Sequence, residues 1–266
     1  MSRIAATFAA LRQANQSALI PFVEAYDPDY ATSLSLLKGM AENGADIIEI
    51  GMPFTDPMAD GPTIQAAGRR GLLAGATLKG VLGLVQEFRA ENDHTPLVLM
   101  GYLNPLLSYG IKNFCQDAAR AGIDGLIIVD LPPEEAELVA PHAAVNGLDI
   151  IRLIAPTTSD SRLKEVLAGS SGFVYYVSIT GVTGTRTASA EDLARDIPRI
   201  RAATDLPIAV GFGIRTPEQA ATVAAYADAA IVASALIDTL FKENAAVVLR
   251  DVNALSTSVR QARKAV

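Results

Sequence analysis

Short apolar runs alternate along the chain with longer amphipathic stretches. Eight runs are predicted as β-strands: Ala18–Val23, Asp46–Ile50, Pro96–Gly101, Gly125–Val129, Asp149–Ile154, Phe173–Ser178, Pro207–Gly211 and Asp228–Val232. Nearly continuous apolar strands, as opposed to alternating ones, indicate a parallel sheet buried on both faces and covered by helices. Eight such repeats predict an α/β fold, a single (β/α)₈ TIM barrel formed by residues 1–266.

The pattern also predicts two helices beyond the eight repeats. Arg3, Phe8 and Arg12 interrupt small residues near the start of the chain. This amphipathic spacing predicts an extra N-terminal helix and differs from the continuous apolar core of a secretion signal. A second, short helix is predicted to open within Val232–Leu236, at the end of the eighth strand.

Composition narrows the class of protein. The net charge of −7, without a Lys/Arg block, disfavours binding to nucleic acid or to an anionic membrane. The lone Cys115 cannot form an internal disulfide, which suits a reducing compartment, and its apolar neighbours predict that it packs in a core helix. No apolar run is long enough to span a bilayer. We therefore expect a soluble cytoplasmic protein.

One charged residue, Glu49, lies near the C-terminal end of an apolar predicted strand. If its side chain points into the barrel, loss of solvent raises its pKa towards the range useful for acid–base catalysis. If it points outward, it pairs with a lysine on the surface. The strand pattern alone favours neither orientation.

A second carboxylate, Asp60, follows a loop rich in glycine and proline and precedes a helix predicted to start at Pro62 or Thr63. Such a position is typical of a helix N-cap. However, the prolines stiffen the loop, which can hold Asp60 over the same pocket as Glu49. Two carboxylates in different surroundings can divide the acid and base roles.

The loops after the last three predicted strands have the features of a phosphate site. The polar segment 178–187 resembles a mobile lid, and Gly211, Gly213 and Ser234 occupy the regions where barrels bind phosphate.

His94 and His142 have no spaced Cys or His partners that would suggest a metal site. We expect an enzyme without a metal or a bound organic cofactor.

At these positions the chain resembles the alpha subunit of tryptophan synthase. The resemblance covers essentially the whole length, and its most specific part is the segment Glu49–Gln65, which reads EIGMPFTDPMADGPTIQ. Shorter matches are Pro21-Phe22, Asp27-Pro28, Gly181-Val-Thr-Gly184 and Gly211-Phe-Gly-Ile214.

The resemblance implies a carbon–carbon lyase that cleaves indole-3-glycerol phosphate to indole and glyceraldehyde 3-phosphate. It implies an alpha2beta2 complex in which indole passes to a beta subunit that carries pyridoxal phosphate. Glu49 would move protons between the glycerol hydroxyl and indole C3, and Asp60 would bind the indole N–H. The other implied substrate-binding residues are Phe22, Met100, Tyr102, Ile127, Leu153, Tyr175, Thr183, Gly184, Phe212, Gly213, Ala233 and Ser234.

Three residues depart from the family pattern. Glu24 and Tyr26 stand where the family has Thr and Gly after the first strand, and Ala233 stands where it has Gly. We expect Glu24 and Tyr26 at the mouth of the pocket and the Ala233 methyl near the phosphate. The departures leave two alternatives open: a pocket with an altered substrate or reaction, and a weakly catalytic barrel that serves as an allosteric partner of the beta subunit.

Overall fold

The computed structural model describes residues 2–178, 189–211 and 213–262. This part of the chain contains nine β-strands, and every pairing between them is parallel. In chain order the strands are β1 (Ala18–Glu24), β2 (Ile48–Gly51), β3 (Leu97–Gly101), β4 (Gly125–Ile128), β5 (Asp149–Ile150), β6 (Arg152–Ile154), β7 (Val174–Val177), β8 (Ile208–Gly211) and β9 (Ala229–Val232).

The strand order β5-β4-β3-β2-β1-β9-β8-β7-β6 closes the sheet into a barrel. Its two edges, β5 and β6, are successive pieces of one chain segment divided at Ile151. Each of the eight predicted strands is found, and the fifth is divided because its first part pairs with β4 and its second part with β7. The Ile151 N–H still donates to the Leu126 carbonyl at 3.0 Å, so the barrel is nearly continuous there.

Helices surround the sheet. They are α1 (Arg3–Gln13), α2 (Tyr30–Glu42), α3 (Pro62–Leu73), α4 (Leu78–Arg89), α5 (Leu103–Tyr109), α6 (Ile111–Ala121), α7 (Ala140–Val145), α8 (Asp160–Leu167), α9 (Ala190–Arg201), α10 (Pro217–Tyr226), α11 (Ser234–Lys242) and α12 (Ala245–Gln261), with a 3₁₀ turn at Pro133–Leu138. The predicted TIM barrel, its extra N-terminal helix and the short helix after the last strand are thus confirmed. Within the described ranges no helix combines the length and the apolar character needed to cross a membrane.

Alternate residues of each strand face opposite sides of the sheet. In β1, Leu19 and Val23 pack outward against the helices, whereas Ala18 and Ile20 belong to the barrel interior. Helix α1 closes the N-terminal end of that interior by inserting Phe8, whose ring lies 5.9 Å from the ring of Phe173. The C-terminal ends of the strands are left as the open end of the barrel.

A buried carboxylate, Asp124, stabilises the N-terminal end of the barrel, which α1 closes. It lies just before β4 and accepts hydrogen bonds at 2.8 Å from Arg3 of α1, from Arg89 of α4 and from the backbone N–H of Leu97. Its side chain is only 5% exposed. A buried charge of this kind is tolerated because each oxygen has a charged or N–H partner. Asp124 therefore joins α1, α4 and β3 at one point.

We predict that Asp124→Asn lowers the free energy of unfolding by about 3 kcal/mol, because Arg3 and Arg89 lose a shared buried anion. Urea unfolding followed by circular dichroism measures this change. The control is Glu91→Gln, since Glu91 is 65% exposed in its pair with Lys38 and should contribute less than about 1 kcal/mol. Equal effects of the two substitutions would contradict the role given to Asp124.

Candidate active site

Glu49 points into the barrel. It stands beside Phe22 in the register of β1 and β2, is 1% exposed, and its Oε2 has no hydrogen-bond partner. Burial, with a smaller effect of the charge on Asp60, raises the pKa of Glu49 to about 8. The structure therefore selects the inward orientation of the two that the sequence left open. At neutral pH this carboxyl holds a proton that it can donate.

Asp60 is held at the open end of the barrel by its own loop. Helix α3 begins at Pro62 with Gly61 as the N-cap residue, so Asp60 is not the cap. The Tyr102 hydroxyl accepts a hydrogen bond of 3.0 Å from the backbone N–H of Ala59. The Gln65 side chain donates a hydrogen bond of 2.9 Å to the backbone carbonyl of Asp60. Both contacts hold the loop in place around Asp60.

The two carboxyl groups differ in protonation because they differ in surroundings. Burial raises the pKa of Asp60 to about 6, and a hydrogen bond with Tyr102 partly opposes that rise. Asp60 is therefore mostly ionised at neutral pH, whereas Glu49 is mostly neutral. A neutral acid and an ionised base at one site are the arrangement that acid–base catalysis requires.

The described site residues form two adjoining layers. The upper layer is a narrow cleft between the ends of β1 to β3, the loop that holds Asp60, and α3. Five of the side chains singled out from the sequence line it: Phe22, Glu24, Asp60, Met100 and Tyr102.

The deeper layer lies in the barrel interior. Ile127, Leu153 and Tyr175 pack there together, with Met100 joining the two layers. Glu49 faces this interior. The pKa of Tyr175 is raised mainly by burial and, to a smaller extent, by the charge of Glu49, which places the two side chains near each other. The acid therefore sits beneath the cleft in apolar surroundings.

At the predicted phosphate site, Gly213 has a φ of +77°, a left-handed conformation that favours glycine. Ser234 is the first residue of α11, and Ala233 precedes it and packs against the cluster of Phe22, Ala67 and Ile237. Gly211 leaves room for the Tyr175 ring, because any side chain at position 211 would collide with that ring. Thr183, Gly184, Phe212 and the part of the expected lid that follows Ser178 lie outside the described residues.

No group of three or more His, Cys, Asp or Glu side chains able to hold a metal ion occurs in the described part of the chain. The carboxyl groups of the cleft are instead surrounded by apolar and aromatic side chains. Acid–base chemistry by side chains is what this arrangement supports.

Comparison with known proteins identifies the family. The family model "Tryptophan synthase alpha chain" matches residues 8–266. The chain belongs to the tryptophan synthase alpha chain family. It is 68% identical to the tryptophan synthase alpha chain of Acidiphilium cryptum, with 100% of each protein covered, and 63% identical to that of Gluconacetobacter diazotrophicus, with 99% of this chain and 100% of the relative covered. The crystal structure of the alpha subunit from Legionella pneumophila has a TM-score of 0.90 at 41% identity and covers 98% of both chains.

Of the two departures from the alpha chain pattern at the end of β1 and just after it, only one lies in the cleft. Glu24 lines it, but Tyr26 has its ring 5.2 Å from the Tyr30 ring and lies over Gly80 of α4, on the outer side of the barrel. The expectation that Tyr26 adds bulk at the mouth is therefore corrected. Its φ of +64° is left-handed, which gives a physical reason for the Gly that the family pattern has there.

Sequence reasoning missed an ion pair beside the cleft. Arg70 of α3 donates two hydrogen bonds, of 2.6 and 2.8 Å, to the two carboxylate oxygens of Asp27 in the loop after β1. The two residues are 43 positions apart, and the only sequence signal was the Asp27-Pro28 match. The pair fastens α3, which carries one wall of the cleft, to the end of β1.

The raised pKa of Glu49 predicts a pH-dependent cost in stability. A carboxyl group whose pKa is higher in the folded than in the unfolded state favours folding while it is protonated. This contribution is complete when the pH is below the unfolded-state pKa, and it is lost as the pH rises through the folded-state pKa. The loss for Glu49 should occur between about 4.5 and about 8. Glu49→Gln, which stays neutral, should therefore be more stable than the parent chain at alkaline pH, by on the order of 3 kcal/mol.

Urea unfolding of both proteins at about pH 5 and about pH 9 tests this, since the difference should appear only at the higher value. Glu91→Gln provides the exposed control. A stability difference that is the same at both pH values would contradict the burial of an ionisable Glu49.

Proposed function

We propose that Glu49 and Asp60 are the two catalytic carboxyl groups with which this carbon–carbon lyase of tryptophan biosynthesis cleaves indole-3-glycerol phosphate to indole and glyceraldehyde 3-phosphate. The observation that carries the proposal is the buried carboxyl of Glu49, whose Oε2 has no hydrogen-bond partner, beneath a cleft that also holds the more exposed Asp60. The two groups differ in protonation at neutral pH, as the retro-aldol reaction requires.

In the proposed reaction the protonated Glu49 donates its proton to indole C3, which makes the ring a cation. The glycerol hydroxyl next to the ring then returns a proton to Glu49, and its oxygen forms the aldehyde as the bond to C3 breaks. The electron pair of that bond restores the aromatic indole. Glu49 begins and ends protonated, so the cycle needs no other acid or base.

Asp60 has a separate role in this proposal. Its carboxylate accepts a hydrogen bond from the indole N–H and stabilises the positive charge that protonation at C3 creates. The Tyr102 hydrogen bond and the contacts of the loop hold the carboxylate in position. A preorganised anion is most effective where water is excluded.

The remaining residues would bind the substrate. Phe22, Met100, Ile127 and Leu153 form the apolar walls for the indole ring, and Tyr175 contributes a polar edge beside Glu49. Gly213, Ala233 and Ser234 would hold the phosphate at the start of α11. Thr183 and Gly184 would close over the substrate and Phe212 would bind it, as the family resemblance implies. We place the enzyme in the cytoplasm, as a single barrel domain.

We predict that Glu49→Gln lowers the rate of indole release by about 10²- to 10⁴-fold, because the amide cannot supply a proton. Asp60→Asn should also lower it, since the neutral amide does not stabilise the cation. Indole is measured as it is released from indole-3-glycerol phosphate, with Glu91→Gln as the control. Near-normal turnover of a folded Glu49→Gln protein would refute the assignment.

The partner of this chain is the tryptophan synthase beta subunit, and two exposed apolar residues support a location for the contact. Met58, in the loop that holds Asp60, is 82% exposed, and Leu107 of α5 is 51% exposed. Both follow the C-terminal ends of strands and so lie at the open end of the barrel. Exposed apolar side chains at one end are typical of a protein interface. Indole released in the cleft would leave at this end.

We predict that Met58→Lys combined with Leu107→Lys weakens binding to a beta subunit by about tenfold or more, because charged groups would be buried in an apolar contact. Isothermal titration calorimetry measures the affinity, and indole release by the isolated chain should change little. Val145→Lys is a matched control, since Val145 is also 82% exposed but ends α7, just before β5, at the opposite end of the barrel. Equal weakening by the control would contradict the proposed contact.

A further inference from the structure

Glu24 is a third carboxyl group at the active end of the barrel, and the reaction proposed above does not use it. Strand alternation in β1 places it on the same inner face as Phe22, one step nearer the open end, and its register partner is Gly51 of β2. Glu24 is only 4% exposed, yet it lines the cleft together with Asp60 and Tyr102. Its carboxyl therefore reaches the space that the substrate would occupy.

Two glycines make room for this side chain. Any side chain at position 51 would collide with the Glu24 carboxyl, and a Cβ at position 68 would lie 3.5 Å from Glu24 Oε1. Gly51 belongs to β2 and Gly68 to α3, so the carboxyl is enclosed from two elements. The Asp27–Arg70 ion pair fixes α3 at this distance from β1. The absence of side chains at positions 51 and 68 thus provides the space that the Glu24 carboxyl occupies.

No hydrogen bond within the described residues engages the Glu24 carboxyl, which reaches the cleft, whereas Oε2 of Glu49 is fully buried without a partner. Polar groups in folded proteins are almost always hydrogen-bonded. A ligand in the cleft can therefore provide a partner for this carboxyl. The titratable groups whose charge acts on the carboxyl are Asp60 from the loop before α3, Asp27 from the loop after β1, Arg70 from α3 and, when it is ionised, Glu49 from β2.

These surroundings keep Glu24 neutral. Burial raises the pKa of Glu24 well above its ordinary value, and the charges on Asp60 and Asp27 raise it further. Arg70 opposes the rise, but its guanidinium is already engaged by both oxygens of Asp27. Asp60 therefore ionises first, and Glu24 keeps its proton. A neutral carboxyl is a hydrogen-bond donor, as the Thr hydroxyl of the family pattern is.

We propose that Glu24 is a substrate-binding residue that donates a hydrogen bond from its neutral carboxyl to an oxygen of the substrate's glycerol chain. The indole ring offers only an N–H donor, which Asp60 would accept, so a donor next to Asp60 needs an acceptor on another part of the substrate. The inference rests on the proposed function, because it assumes that indole-3-glycerol phosphate occupies the cleft.

The test measures equilibrium binding of indole-3-glycerol phosphate by calorimetry on a Glu49→Gln background, on which the substrate should bind without being cleaved. Glu24→Gln keeps a donor of the same size and should bind within about threefold of the background protein. Glu24→Met has similar bulk but no donor, and should bind about tenfold more weakly. Free indole, which has no acceptor oxygen, should bind both variants equally.

Glu24→Leu is a second variant without a donor and should match Glu24→Met, and thermal unfolding confirms that each variant is folded. Tyr26→Phe, whose ring lies outside the cleft, is the control and should leave binding unchanged. Equal substrate affinity of the Gln and Met variants would overturn the proposal, and so would a loss of indole binding as large as the loss of substrate binding. Cleavage by the Glu49→Gln background would instead refute the proposed catalytic pair, while the comparison between Gln and Met would still decide the role of Glu24.

Discussion

The closed parallel sheet imposes the constraint on which the other features depend. Closure gives every strand an inner face that is shielded from water, and the two-residue period of a strand determines which residues occupy it. In the lower layers these positions are apolar, and Phe8 of α1 covers them from beneath. Near the open end the same inner face carries Glu49 and Glu24. Their loss of solvent is thus a direct consequence of barrel closure.

Differences in burial around one cleft separate the protonation states of its carboxyl groups. Asp60, on a loop at the rim, ionises most readily, whereas burial raises the pKa of Glu49 to about 8 and that of Glu24 well above its ordinary value. Each uncompensated buried carboxyl reduces stability when it ionises. Such a loss of stability is expected at functional sites, where groups that a stable core would exclude are retained because the reaction needs them. It also explains why rigid contacts such as the Asp27–Arg70 pair surround the cleft.

The opposite end of the barrel serves stability. Asp124 is as buried as a functional carboxyl, but its oxygens are all engaged by Arg3, Arg89 and a backbone N–H. The contrast with Glu49, whose Oε2 has no partner, separates a structural carboxylate from the one proposed to be catalytic. Hydrogen-bond satisfaction distinguishes the two more clearly than burial does.

The fold class was predictable from the chain alone, because nearly continuous apolar runs at regular spacing are compatible with few structures other than a parallel barrel. The family was predictable too, because the segment Glu49–Gln65 combines unusual residues in a fixed order, and the same segment contains both carboxylates proposed as catalytic. Three features emerge only from the folded chain: Glu49 points inward, Tyr26 lies outside the cleft, and Gly51 and Gly68 enclose Glu24. These facts depend on the register between strands and on the packing of α3 against them, which bring together residues distant in the chain. Local sequence patterns carry no information about such contacts.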